Sequence, residues 1–139
     1  MSLSIRNQLP GTVTAVEPGE VMAVVKLRLD GGQNLTAAIT QEAAEDLALA
    51  PGSAVRALVK STEVSLATQR VEGLSIRNQL PGAVTGLTPG AVMATVHITI
   101  EGGRLTAAIT KDAATDLGLF VGSDVVALVK ATEVSLATA

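Results

Sequence analysis

A chain of 139 residues that is 47% hydrophobic, with Phe120 as its one aromatic residue, must fill its core with Val, Leu, Ile and Ala, a composition suited to short β-strands. The absence of cysteine excludes disulfides, thiolate metal sites and cysteine nucleophiles, and a lone His97 cannot build a zinc site. Ten basic against thirteen acidic residues give a net charge of −3, which with the missing Trp and Tyr argues against nucleic acid as a partner. No apolar run is long enough to span a bilayer, and the N-terminus lacks the basic and apolar regions of a signal peptide. The expected location is the cytoplasm, with no membrane partner.

Taken in chain order, the sequence reads as one unit used twice. Leu3–Gly32 realigns with Leu74–Gly103 at an offset of 71, and Leu35–Thr68 with Leu105–Thr138 at an offset of 70, together 44 of 64 positions identical. Two copies are too few for a solenoid, whose core needs about three. The division is therefore a first domain over 1–68, a polar join over 69–73 and a second domain over 74–139. In the first unit, Leu9 to Val16 alternates with Leu9, Gly11, Val13 and Ala15 on one face, which predicts a half-buried strand. Pro18-Gly19 marks a turn before a strand over Val21 to Leu29, and Asp30-Gly31-Gly32 signals a hairpin into a partner strand over Asn34 to Ile39. Gln41 to Leu49 predicts the one helix, with Thr40 at its N-cap and Pro51-Gly52 after it. Ala54 to Lys60 and Glu63 to Ala67 predict two closing strands. The second unit repeats β-β-β-α-β-β with Gly102-Gly103, Thr110 and Val121-Gly122 at the matching turns. The expected fold is mainly β: two tandem OB-like five-stranded small barrels, each with one short helix.

Packing and turns account for most repeated positions. Ser4-Ile5-Arg6-Asn7 returns unchanged as Ser75-Ile76-Arg77-Asn78, Thr40 returns as Thr110, and Lys60 returns as Lys130. Each has a plain structural explanation: an arginine on a solvated edge with Ser and Asn shaping a turn, a helix cap, and a basic guard at a strand end. Their combination has a chemical one. A helix N-terminus offers backbone N–H groups, Thr and Ser offer hydroxyls, Arg a charged planar fork and Lys a point charge. A tetrahedral dianion asks for that set. With no Asp or Glu in these motifs, nothing in them accepts a proton from hydrogen phosphate, so the set favours fully deprotonated oxyanions.

At these residues the chain resembles the molbindins, small cytoplasmic proteins of Mop-type (TOBE-like) domains that bind molybdate. SIRNQLPG before a glycine hairpin, LTAAIT before a short helix, and ALVK near the end agree in order and spacing, twice, over nearly the whole chain. The resemblance implies an oxyanion, molybdate or tungstate, held between domains of different subunits. It implies Ser4, Ile5 and Arg6 from one side and Thr40, Lys60 and Ser61 from the other. In the second unit the corresponding residues are Ser75, Ile76 and Arg77 with Thr110, Lys130 and Ala131. The residue after the lysine contributes through its backbone, and the change from Ser61 to Ala131 removes a hydroxyl there. A homotrimer, a role in molybdenum storage or homeostasis, and no organic cofactor are further implications.

Catalysis fits poorly, because the repeated polar set has no carboxylate or histidine to move a proton. The rival readings are a structural or protein-interaction β-module, which leaves Arg6 and Lys60 unexplained, and the ligand-sensing domain of a larger regulator or transporter. Against the second stand the lack of a P-loop or DNA-binding helix pair and a chain nearly flush with its repeats.

Overall fold

A computed structural model describes residues 2–139. The first unit gives β1 (Asn7–Glu17), β2 (Met22–Leu29), β3 (Asn34–Thr40), α1 (Gln41–Asp46), β4 (Ala54–Val59) and β5 (Ser65–Ala67). The second gives β6 (Asn78–Pro89), β7 (Met93–Ile100), β8 (Gly103–Thr110), α2 (Lys111–Asp116), β9 (Asp124–Val129) and β10 (Ser135–Thr138). Among the described residues no helix is long and apolar enough to cross a membrane.

Each unit forms an antiparallel meander β1-β2-β3 or β6-β7-β8, with β4 or β9 added on the other side of the first strand. Alternation holds along β2, where Ala23, Val25, Leu27 and Leu29 are buried and Lys26 and Arg28 are exposed. In β1 it holds only as far as Val13. A β-bulge between Val13 and Ala15 resets the phase, so Val16 packs against the core on the strand half where the sequence pattern placed Ala15.

The helices are six residues long, shorter than the expected Gln41 to Leu49. At Leu47 the chain leaves the helix through Ala48, whose φ of 51° is left-handed. The Ala48 N–H reaches the Glu45 carbonyl and the Leu49 N–H reaches the Ala44 carbonyl, which closes the C-terminus and returns Leu49 to the core. In the second unit Gly118 occupies this position at φ 62°.

The fifth strand of each sheet comes from the other unit. The strand orders are β10-β4-β1-β2-β3 and β5-β9-β6-β7-β8, with Ser135 opposite Leu58 and Ser65 opposite Leu128. After β4 a single 3-10 turn over Ser61–Glu63 is flanked by extended residues, Lys60 at ψ 140° and Val64 at ψ 116°. The chain therefore carries on across the boundary and does not fold back in a hairpin. Val64 and Val134 are buried and anchor the exchanged strands, worth roughly 1.5 to 3 kcal/mol each. One hydrophobic cluster runs through both units.

Two further contacts relate the units by pseudo-two-fold symmetry. The Asn7 amide donates to the Thr106 carbonyl (2.8 Å) and accepts from the Thr106 N–H (2.8 Å), while Asn78 does the same with Thr36 at 2.7 and 2.9 Å. The glycine hairpins also meet backbone to backbone. A Cβ on Gly102 would lie 2.4 Å from the Gly31 Cα, so neither position has room for a side chain.

Candidate oxyanion site

The segment carrying Ser4, Ile5 and Arg6 enters β1 under two restraints. Gln8 donates its amide N–H to the Ile5 carbonyl at 3.0 Å, and the next residue along from Arg6 is the buried, doubly bonded Asn7. Gln79 holds the Ile76 carbonyl in the same way at 3.2 Å. Asn7 is thus no turn former, as the motif suggested, but a clamp that seats the neighbouring arginine at the boundary between units. Nothing local in the sequence could reveal this, because its partner Thr106 is 99 residues away.

Asn7 pairs with Val59 at the end of β4, so Arg6 and Lys60 both leave the sheet at this end. Ile5 and Lys60 line a cavity of about 110 Å³ together with Leu58 and three residues of the other unit, Thr132, Glu133 and Ser135. Glu133, which repeats Glu63, is a carboxylate outside the Ser-Ile-Arg-Asn, Thr and Lys positions singled out above, so the surroundings of Lys60 are less purely donor-bearing than those positions alone imply. Ser61 and Ala131 follow the lysines as half-buried starts of the 3-10 turns. Among the described residues the one ion pair is Lys26 with Glu17 at 3.6 Å, so Arg6, Lys60, Arg77 and Lys130 keep their charge available. No group of His, Asp or Glu among those residues is arranged to hold a metal cation.

Thr40 and Thr110 cap their helices as the sequence indicated: each hydroxyl accepts from an N–H at 3.1 Å, of Ala43 or Ala113. Each hydroxyl hydrogen remains free to donate. The backbone offers less than a free helix end, since the Gln41 and Lys111 N–H groups are bound to the Val21 and Val92 carbonyls at 2.8 Å.

These residues do not converge within one unit. Thr40 lies opposite Met22, beyond the Glu17 end of β1, whereas Arg6 and Lys60 lie beyond its Asn7 end. Across the units the segments approach. β8 packs on the Ser61–Glu63 turn and β3 on the Ala131–Glu133 turn. Thr62 and Ser65 share a cavity of about 260 Å³ with Ala108 and Ile109, next in sequence to Thr110. Ser4, Arg6, Thr40 and Lys60 are all exposed in the single chain, as are Ser75, Arg77, Thr110 and Lys130.

Comparison with known proteins gives the following. The model of the TOBE domain matches residues 3–66 and 74–136. The chain is 43% identical to the molybdenum-pterin-binding protein MopB of Rhodobacter capsulatus over 136 residues, covering 96% of this chain and 50% of MopB. It is 40% identical to the molybdenum transport protein ModE of Herbaspirillum seropedicae over 139 residues, covering 99% of this chain and 52% of ModE. The chain thus spans about half the length of these relatives. A crystal structure of the cytoplasmic molybdate-binding protein ModG with molybdate bound superposes with a TM-score of 0.97 at 41% identity, covering 100% of both chains.

Proposed function

Because the chain belongs to the TOBE-domain family, with two such domains in tandem as in the molbindins, we propose that it is a binding protein, not an enzyme, for molybdate in the cytoplasm. Its role on this reading is molybdenum storage or homeostasis, and it carries no organic cofactor. The observation that supports this best is that Arg6 and Lys60 leave the same end of the sheet next to a buried asparagine, as Arg77 and Lys130 do in the second unit. Two positive charges and several hydroxyl donors suit a tetrahedral dianion. Likeness to a molybdate-bound structure over the full chain supports the choice of anion.

The complete set is Ser4, Ile5, Arg6, Lys60 and Ser61 with a facing threonine, and Ser75, Ile76, Arg77, Lys130 and Ala131 with its own. Since every charged member is exposed in one chain, the site is completed where chains meet, in a homotrimer. Residues 1–68 and 74–139 act as the two binding units, joined by 69–73. Tungstate, with the same charge and shape, binds alongside molybdate, while phosphate binds weakly because its proton would face donors. Calorimetric titration with molybdate, tungstate, sulfate and phosphate is the test, and equal affinity for phosphate and molybdate refutes the reading. Placement is tested by mixing. Chains carrying Arg6→Ala and Arg77→Ala are combined with chains carrying Thr40→Asp and Thr110→Asp, which keep the helix caps but repel the anion, and shared sites regain binding that neither parent has.

The half-length match to ModE favours one second reading, the ligand-sensing module of a longer transport protein. Anion-dependent binding of a separate transport component would distinguish it from a free-standing store.

A further inference from the structure

The outer face of the second unit carries a groove unrelated to the cationic ends. It has a volume of about 530 Å³ and is lined by Thr85 on β6, His97 and Thr99 on β7, and Arg104 and Thr106 on β8, over the buried Ile98 and Leu105. No carboxylate lines it. His97 Nδ1 lies 3.2 Å from the Thr106 hydroxyl, which fixes the ring on the sheet. Nε2 is left without a protein partner, and it donates to an anion in the tautomer that carries hydrogen there. The Thr106 backbone is the group clamped by Asn7, so this wall is rigid. The Thr85 hydroxyl donates to the His97 carbonyl at 3.4 Å, which leaves Arg104, His97 and Thr99 as the donors that face outward.

Comparison of the two units shows how the groove arises. The positions of His97 and Thr99 are held in the first unit by Lys26 and Arg28, and that of Arg104 by Asn34. Two long stems are replaced by shorter side chains, and the guanidinium moves to the neighbouring strand. Lys26 is also bound to Glu17, whose position in β6 is Thr88. The substitutions therefore empty the space and remove its carboxylate at once.

We infer that this groove is a second anion site, for the phosphate monoester of a metabolite-sized organic molecule. Arg104 supplies a planar fork for two phosphate oxygens, His97 and Thr99 supply further donors, and the volume admits far more than a bare oxyanion. The cavity beside Lys60 is about one-fifth as large. This inference does not depend on molybdate binding.

His97 is the sole histidine, so its ring Cε1–H gives one resolved NMR signal as a reporter. The full chain, in a buffer free of phosphate, is titrated with ribose 5-phosphate, ribose and inorganic phosphate. A saturable shift with ribose 5-phosphate, a weaker response to inorganic phosphate and none to ribose are expected. Arg104→Ala should weaken binding about tenfold or more. Thr99→Glu puts a carboxylate into the groove from an exposed strand position, so it should fold and abolish the saturable shift. Molybdate affinity should be unchanged in both variants. A linear shift, an affinity unaltered by Arg104→Ala, or equal affinity for inorganic phosphate would overturn the assignment.

Discussion

Among the described residues Asn7 and Asn78 are the two buried polar residues, and each satisfies both halves of its amide on one backbone residue of the other unit. Removing the amide leaves a buried N–H and a buried carbonyl without partners, each costing about 1 to 3 kcal/mol. Asn7→Ala should therefore lower stability by about 2 to 6 kcal/mol, read as a fall in the urea midpoint at unchanged slope. Aspartate should not rescue it, because a carboxylate accepts from the Thr106 N–H but cannot donate to its carbonyl. The neighbouring residues behave oppositely. Arg6 and Lys60 are exposed and outside the core, so their alanine variants should keep the wild-type melting curve in the absence of anion. Each should weaken molybdate binding roughly ten- to a hundredfold, the loss expected for a charged hydrogen bond, as read by calorimetry. All of these residues stood out in the sequence because they repeat. A role can be proposed from sequence for the exposed ones, since charge and donor type are local properties, whereas a buried amide is explained by a partner that the sequence does not name.

Among the elements, the meander strands were legible because burial with period 2 is written into the residues that form them. The helix end was not, since Leu47 and Leu49 continue an apolar pattern that favours helix while the chain exits at Ala48. That left-handed alanine costs about 1 kcal/mol that glycine avoids. Ala48→Gly should thus raise stability by up to about 1 kcal/mol, and Gly118→Ala should lower it by a similar amount, both measured by thermal unfolding. Strand exchange was illegible for a different reason. Thr62 to Thr68 and Thr132 to Thr138 have identical sequences, TEVSLAT, so either copy's strand fits either sheet and no residue pattern can choose. The choice falls to the extended backbone at Lys60 and Val64. Exchange also predicts how the chain responds to cutting. Cleavage within Gln69–Gly73 should leave the two halves together on size exclusion under native conditions, because each holds a strand of the other's sheet. Halves that elute separately would show that the linker, and not the exchange, holds them.

At the scale of the whole molecule, the two units share one core but leave their cationic ends and their threonines exposed, and Val21, Met22, Val92 and Met93 are exposed beside those threonines. Small β-domains with such surfaces gain by association. Sedimentation at micromolar concentration should show an oligomer, with trimer expected and a stable folded monomer contradicting the proposal. Molybdate at a hundredfold excess over its dissociation constant should add about 2.7 kcal/mol per site to the stability of the assembly, seen as a rise in melting temperature that Arg6→Ala with Arg77→Ala removes.

The reciprocal strand carries a rule of parity. Each copy of the repeat gives one strand and accepts one, so the account closes at two, and the hairpin tips at Gly31 and Gly102 seal the same pairing from the opposite side. A third copy appended to this chain would find the edges beside β4 and β9 already filled and no strand offered in return. Its own closing strand would stay unpaired, a sticky β-edge open to aggregation. Chains of this design can therefore grow by adding pairs of repeats, or by assembling finished pairs around an axis, but not by adding one repeat at a time.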